Sequence, residues 1–163
     1  MSDQQQANVA AVTTPTDREI HVERVFDAPR DRVWAAYTDP NLIPEWWGPR
    51  GTTTIVDRME VEPGGGWRFV AQTSDGNETA FRGTYREVTP PERIVQTFEW
   101  EGMPGHISVE TATFEDLGDR TKVVTTSIFR TPEERDGMLG SGMEKGMNET
   151  YQRLDELLAR QAG

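Results

Sequence analysis

Cysteine is absent from the 163-residue chain, and histidine occurs only twice, at His21 and His106. The first absence excludes disulfides, thiolate nucleophiles and Cys-ligated zinc or iron–sulfur centres. The second leaves too few imidazoles, too far apart, for the usual His-rich metal site. Lysine is scarce as well: of 17 basic residues only Lys122 and Lys145 are lysines, which reads as a coding bias towards Arg. Against these stand 28 acidic residues, giving a formal charge of -11. A chain of that sign does not gather the cations that nucleic-acid phosphates or an anionic membrane surface require. No apolar run approaches the ~20 residues that span a bilayer. The start, Met1-Ser2-Asp3-Gln4-Gln5-Gln6, has neither the basic region nor the apolar stretch of a signal peptide, so the expected compartment is the cytoplasm. Catalytic signatures are missing too: there is no HExxH and no GxSxG, and Gly64-Gly65-Gly66 runs into a strand instead of a helix that could hold a phosphate. No metal and no cofactor are expected.

What remains divides into a tail and one domain. Residues 1–16 hold no aromatic side chain and a single charge, at Asp3. Such a stretch buries too little apolar surface to offset its ordering entropy, and is expected to be disordered, with the domain occupying 17–163. From Glu19 to Phe26 the residues alternate as in a strand. Asp27-Ala28-Pro29 stops that strand and opens a helix bearing Val33, Trp34 and Tyr37 on one face, and Asp39-Pro40 opens a second, short one confined by Pro44 and Gly48-Pro49. Six strand-like segments follow, over 52–62, 67–73, 79–88, 93–100, 106–115 and 121–129. Turn signals such as Pro63-Gly64, Asp75-Gly76 and Leu117-Gly118 separate them, which makes an antiparallel meander. Thr131-Pro132-Glu133-Glu134 then caps a terminal helical region. Its stripe of Met143, Met147, Tyr151, Leu154 and Leu158 recurs at steps of three and four. The economical packing for this order is an α+β domain, a curved antiparallel sheet covered by the long last helix.

Both the order of elements, β-α-α-β6-α, and local strings point to a known family. "FDAPRDRVWAAYTDP", "PEWWGPRG", "VEPGGGWRF", "GTYREVTPPERIVQTFEW" and "TATFEDLGDRTKVV" resemble the helix-grip (START-like, SRPBCC) proteins. Within that superfamily they are similar to the bacterial branch related to the C-terminal domain of the activator of heat-shock protein 90 ATPase. The resemblance spans about residues 18–160. It implies a sheet wrapped around the C-terminal helix, with a cavity between them that in relatives holds varied apolar ligands. Some relatives are polyketide cyclases or aromatases. The eukaryotic activator carries a further N-terminal domain with no counterpart here, so heat-shock ATPase activation is not implied and a chaperone partner is not expected; a homodimer is left open.

Strand alternation supplies the candidate lining of such a cavity. Trp67 and Phe69 share one face of their strand, Phe81 and Tyr85 one face of the next, and Ile94, Gln96, Phe98 and Trp100 one face of another. The opposing helical region contributes Met138, Gly142, Met143, Gly146 and Met147. Glycines inside a helix cost roughly 1 kcal/mol each relative to Ala. They either leave room for a ligand or mark a break between a short helix at 132–138 and the long one. Trp46 and Trp47, adjacent on a turn, cannot both point the same way; which of them faces the cavity is open. The alternative for all these aromatics is a filled core. Among titratable groups Tyr85 is the one catalytic candidate, as a phenol inside the cavity. Arg82, Glu99 and Glu110 are expected on the outer face and His106 at a loop edge. The functional expectation is binding of a small apolar or aromatic molecule. Its alternatives are a cyclase or dehydratase using Tyr85 and an acid near the cavity, or a chaperone-associated stress-response module.

Overall fold

Twelve elements organise residues 9–162, the part of the chain described by the computed structural model. Strand β1 (Ala11–Thr13) and strand β2 (Glu19–Phe26) come first, followed by helices α1 (Arg30–Thr38) and α2 (Ile43–Trp46). Six strands succeed them: β3 (Thr52–Met59), β4 (Gly66–Thr73), β5 (Glu78–Thr89), β6 (Arg93–Trp100), β7 (Ile107–Asp116) and β8 (Thr121–Ile128). Helices α3 (Pro132–Gly140) and α4 (Met143–Ala162) close the chain. All eight strands form one antiparallel sheet in the order β1-β2-β8-β7-β6-β5-β4-β3. The meander from β3 to β8 is therefore complete, and β2 returns to pair with its last strand. Register shifts between Val56 and Arg58 and between Tyr85 and Glu87 place two bulges, which add local twist and bend the sheet.

One face of that sheet is covered by α4. Tyr151, Leu154, Leu157 and Leu158 are its buried residues, packed in one core with Phe26, Val123 and Phe114 of the strands. An ion pair fixes the helix along its axis: Arg24, on the inward face of β2, donates to both oxygens of Asp155, at 2.8 and 2.6 Å. The guanidinium is buried and stacks on the Phe26 ring at 4.7 Å. Gly83 shows how tightly the strands are set. A Cβ there would fall 1.9 Å from the Thr97 carbonyl oxygen and 2.5 Å from Trp67 Nε1, so only glycine lets the Trp67 indole cross β5 and donate to Thr97 O at 3.2 Å. Among the described residues no helix is long and apolar enough to cross a membrane.

Four expectations need correction. Residues 1–8 of the expected tail lie outside the described residues, but Ala11, Val12 and Thr13 pair with Glu23, Val22 and His21, so the ordered chain begins well before residue 17. The reason is the free edge of β2, which offers backbone partners that local composition cannot reveal. Helix α1 starts at Arg30 with Pro29 as its cap, and α2 starts at Ile43, later than the Asp39-Pro40 signal. Finally α3 runs to Gly140, and the break between α3 and α4 is real: Gly142 has φ +83°, a left-handed turn that favours glycine.

Candidate functional site

Between the inner face of the sheet and α4 lies a cavity of about 240 Å³. Helices α1 and α2 close one end with Tyr37, Ile43, Trp46 and Trp47. Strands β4 to β8 supply the floor, with Phe69, Tyr85, Ile94, Gln96, Glu110, Ala112 and Thr125, and α4 the roof, with Met147, Thr150 and Tyr151. The alternation of each strand puts these residues on one face, and register brings them opposite one another: Gln96 faces Glu110, Ile94 faces Ala112, and Ala112 faces Thr125.

The two adjacent tryptophans do different work. Trp46 is fully buried, its Nε1 donating to Ala36 O at 3.0 Å and its ring 4.9 Å from Tyr37. Trp47 is half-buried and meets Phe69 and Phe81 edge-on at 5.1 and 5.4 Å. Both border the cavity, so the choice between them dissolves: Trp46 is a fixed wall, and Trp47 is the one with surface to spare.

Polar groups gather at the floor. Glu110 accepts a hydrogen bond from Ser127 Oγ at 3.4 Å, and burial pushes its carboxyl up to about 7. The Tyr151 hydroxyl lies in hydrogen-bond reach of Thr125 and Tyr37, and burial raises both tyrosines above the usual phenol range. Tyr85 is likewise raised by burial. The Arg24 guanidinium is already paired with Asp155, and Arg153 donates to the carbonyl of the lining residue Gly48 at 2.8 Å. Among the described residues no three His, Asp or Glu side chains come together as a metal site.

Of the residues singled out from sequence, Trp46, Trp47, Phe69, Tyr85 and Met147 line the cavity. Trp67, Phe81 and Phe98 form a neighbouring cluster beyond Phe69, with Trp67 4.9 Å from Phe69 and Phe81 stacked on Phe98 at 5.4 Å. Met138 and Met143 pack against the core without lining the cavity. Gly142 serves the helix break, while a Cβ on Gly146 would meet open space, one turn before the lining residue Thr150. Trp100 does not belong: it lies opposite Phe81 in register, but its ring folds over Gly102 and stays 42% exposed. Glu110 is the larger correction, since it faces inward and not outward. Its strand reads Ser108-Val109-Glu110-Thr111-Ala112, with two equally mixed faces. The available signal was phase, because Glu110 shares parity with Phe114, which is buried. Arg82 and Glu99 do pair with each other, at 3.0 Å, and His106 sits at the edge of β7 within 3.5 Å of Glu134.

Comparison with known proteins adds a family and a set of structures. The family model described as "Activator of Hsp90 ATPase homolog 1-like protein" matches residues 27–159. A crystal structure of a Rhodobacter sphaeroides protein superposes with a TM-score of 0.88 at 26% identity, covering 93% of this chain and 99% of that one. The solution structure of an Arthrobacter aurescens protein gives 0.84 at 25% identity, covering 92% and 91%. DynU16, a protein from a dynemicin biosynthetic locus, gives 0.65 at 21% identity, with 89% of this chain on 48% of that chain, and so shares the fold alone. No curated protein matches the chain.

Proposed function

The chain belongs to the Activator of Hsp90 ATPase homolog 1-like family, and from that premise we propose that it binds a small aromatic or apolar molecule in the cavity between the sheet and α4. The supporting observation is the cavity itself. This half-open space of about 240 Å³, walled by Trp46, Trp47, Phe69 and Met147, leaves aromatic and apolar surface that a small ligand can cover. It stands just under the usual ~300–1,000 Å³ of ligand pockets, which suits a compact ring system better than a long acyl chain. Methionine adds an adaptable surface, since its unbranched thioether fits many shapes. The test is titration with 4-phenylbutan-1-ol, followed by calorimetry and by the emission of Trp46 and Trp47. Saturable one-site binding, weakened in Trp47→Ala, supports the proposal. An absence of heat and of any spectral change, together with a native mass equal to the bare chain, overturns it.

A second reading is favoured by one observation: Glu110 and Tyr85 both face the cavity, and the Glu110 carboxyl sits near 7. A carboxyl poised there can both take and give a proton at neutral pH. That is the equipment of a cyclase or dehydratase acting on an enolisable ketone, with Glu110 as the base and Tyr85 donating to the carbonyl. Deuterium uptake by an aryl ketone in heavy water, lost in Glu110→Gln, supports this reading; no exchange above the buffer rate refutes it.

A further inference from the structure

Glu110 stands in the cavity wall without a cation to answer it. Among the described residues its one hydrogen-bond partner is the Ser127 hydroxyl at 3.4 Å, and no ion pair reaches it. The groups facing it from each packed element are few: Gln96 from β6, Ser127 and Thr125 from β8, Tyr85 from β5, Tyr37 from α1 and Tyr151 from α4. Beyond them Arg24 of β2 has its charge met by both oxygens of Asp155. Among the described residues that line the cavity there is no Lys, Arg or His. An ionised carboxylate in such a place is costly unless something of opposite charge joins it. Around it stand the rings of Tyr37, Trp46 and Tyr151, and aromatic surfaces attract cations. The whole chain, at -11, draws cations towards it and repels anions.

We infer that the cavity selects molecules that carry a protonated amine on an aromatic or apolar body, the ammonium pairing with the Glu110 carboxylate while the body fills the space between Trp47, Phe69 and Met147. This rests on the ligand-binding reading above and names its chemical class. An anionic ligand finds no cation here. A neutral ligand gains the apolar burial alone. Only the amine supplies the missing partner, and it does so best when Glu110 is ionised; with that carboxyl near 7, amine binding strengthens as pH rises from 5.5 to 8.

The experiment compares 4-phenylbutylamine, 4-phenylbutan-1-ol and 4-phenylbutanoate by calorimetry in 0.15 M salt at pH 5.5 and pH 8. At pH 8 the amine binds about tenfold or more tighter than the alcohol, and the carboxylate binds weakest. The preference shrinks at pH 5.5 and disappears in Glu110→Gln, where amine and alcohol bind alike. A second measurement needs no variant: carbon NMR titration of the Glu110 carboxyl shows its midpoint lowered by the amine and unmoved by the alcohol. Equal binding of amine and alcohol, a preference retained in Glu110→Gln, or an unmoved midpoint overturns the inference and leaves the cavity reading standing. If none of the three compounds binds, the cavity reading falls and the amine inference falls with it.

Discussion

Glu110→Gln should make the protein more stable at pH 8, and the size of the gain can be worked from the site. In the folded chain the carboxyl titrates near 7, against an ordinary 4.5. Below pH 4.5 it is protonated in both the folded and the unfolded state and costs nothing. Between 4.5 and about 7 the unfolded chain gives up its proton first, so folding stability falls as pH rises. Above 7 the loss is complete. At about 1.4 kcal/mol per pH unit, the ionised form is roughly 3 kcal/mol costlier in the folded protein. Glu110 is only half-buried, and solvent screening reduces that figure, so a gain of about 2 kcal/mol is the expected outcome for the neutral amide. The amide keeps the shape and can still accept from Ser127.

Other carboxylates titrate in the opposite sense, which makes the comparison clean. Arg82 holds Glu99 below the usual range, Arg68 does the same to Glu101, and Arg50 to Glu156. Their contribution is present above 4.5 and is lost as pH falls below it, outside the Glu110 window. Urea melts of both proteins at pH 5 and pH 8 measure the effect. The variant should gain about 1 M in midpoint at pH 8, given a slope of roughly 1–3 kcal/mol/M, and little at pH 5. Equal midpoints at pH 8, or an offset that is the same at both pH values, would refute the reasoning, because either result means the carboxyl is not desolvated.

Four other outcomes follow from the same structure. Gly142→Leu should cost about 1–2 kcal/mol in a urea melt, because φ +83° is left-handed. Gly146→Leu, whose Cβ meets open space, should instead hold or gain up to about 1 kcal/mol from helix propensity while weakening 4-phenylbutan-1-ol binding at the cavity mouth; destabilisation there would mean a packed site. Asp155→Ala strands the buried Arg24 charge and should cost roughly 3 kcal/mol, at the low end for a buried pair because the Asp155 side chain is 36% exposed; adding Arg24→Met should recover part of it by calorimetry. Deleting residues 2–16 removes β1 and the Arg135 bond to Thr16 O, and should lower the thermal midpoint by about 3–6 °C for a loss of about 1–2 kcal/mol; an unchanged midpoint would mean that β1 adds nothing to stability.

How much of this was readable in the sequence depends on whether a neighbour or the residue itself sets the outcome. The meander was legible because its turns are local: Asp75-Gly76 and Leu117-Gly118 mark their hairpins wherever they stand, and both glycines take positive φ. The long helix was legible because Tyr151, Leu154 and Leu158 recur on one face. Strand β1 was not, since three residues become a strand only where β2 leaves an edge free. Trp100 obeyed alternation and still missed the cavity, because a strand end can turn its ring outward.

Glu110 is the instructive failure. Charge in a strand normally marks the solvent face, and by that rule Arg82 and Glu99 were expected there; in the structure they pair with each other at 3.0 Å. It fails at Glu110, where pairing with Gln96 and Ser127 fixes an inward direction that a carboxylate alone would not choose. Real proteins break local rules mainly at functional sites, where a cost in stability is offset by a gain elsewhere. For Arg24, the other inward charge, the offset is visible: Asp155 meets it at 2.6 Å. For Glu110 the described residues supply only one long hydrogen bond from Ser127, so the folded chain carries a cost without its compensation. Glu110 differs from Arg24 in having no counter-charge among the described residues, and that difference is the observation behind the proposed ammonium ligand.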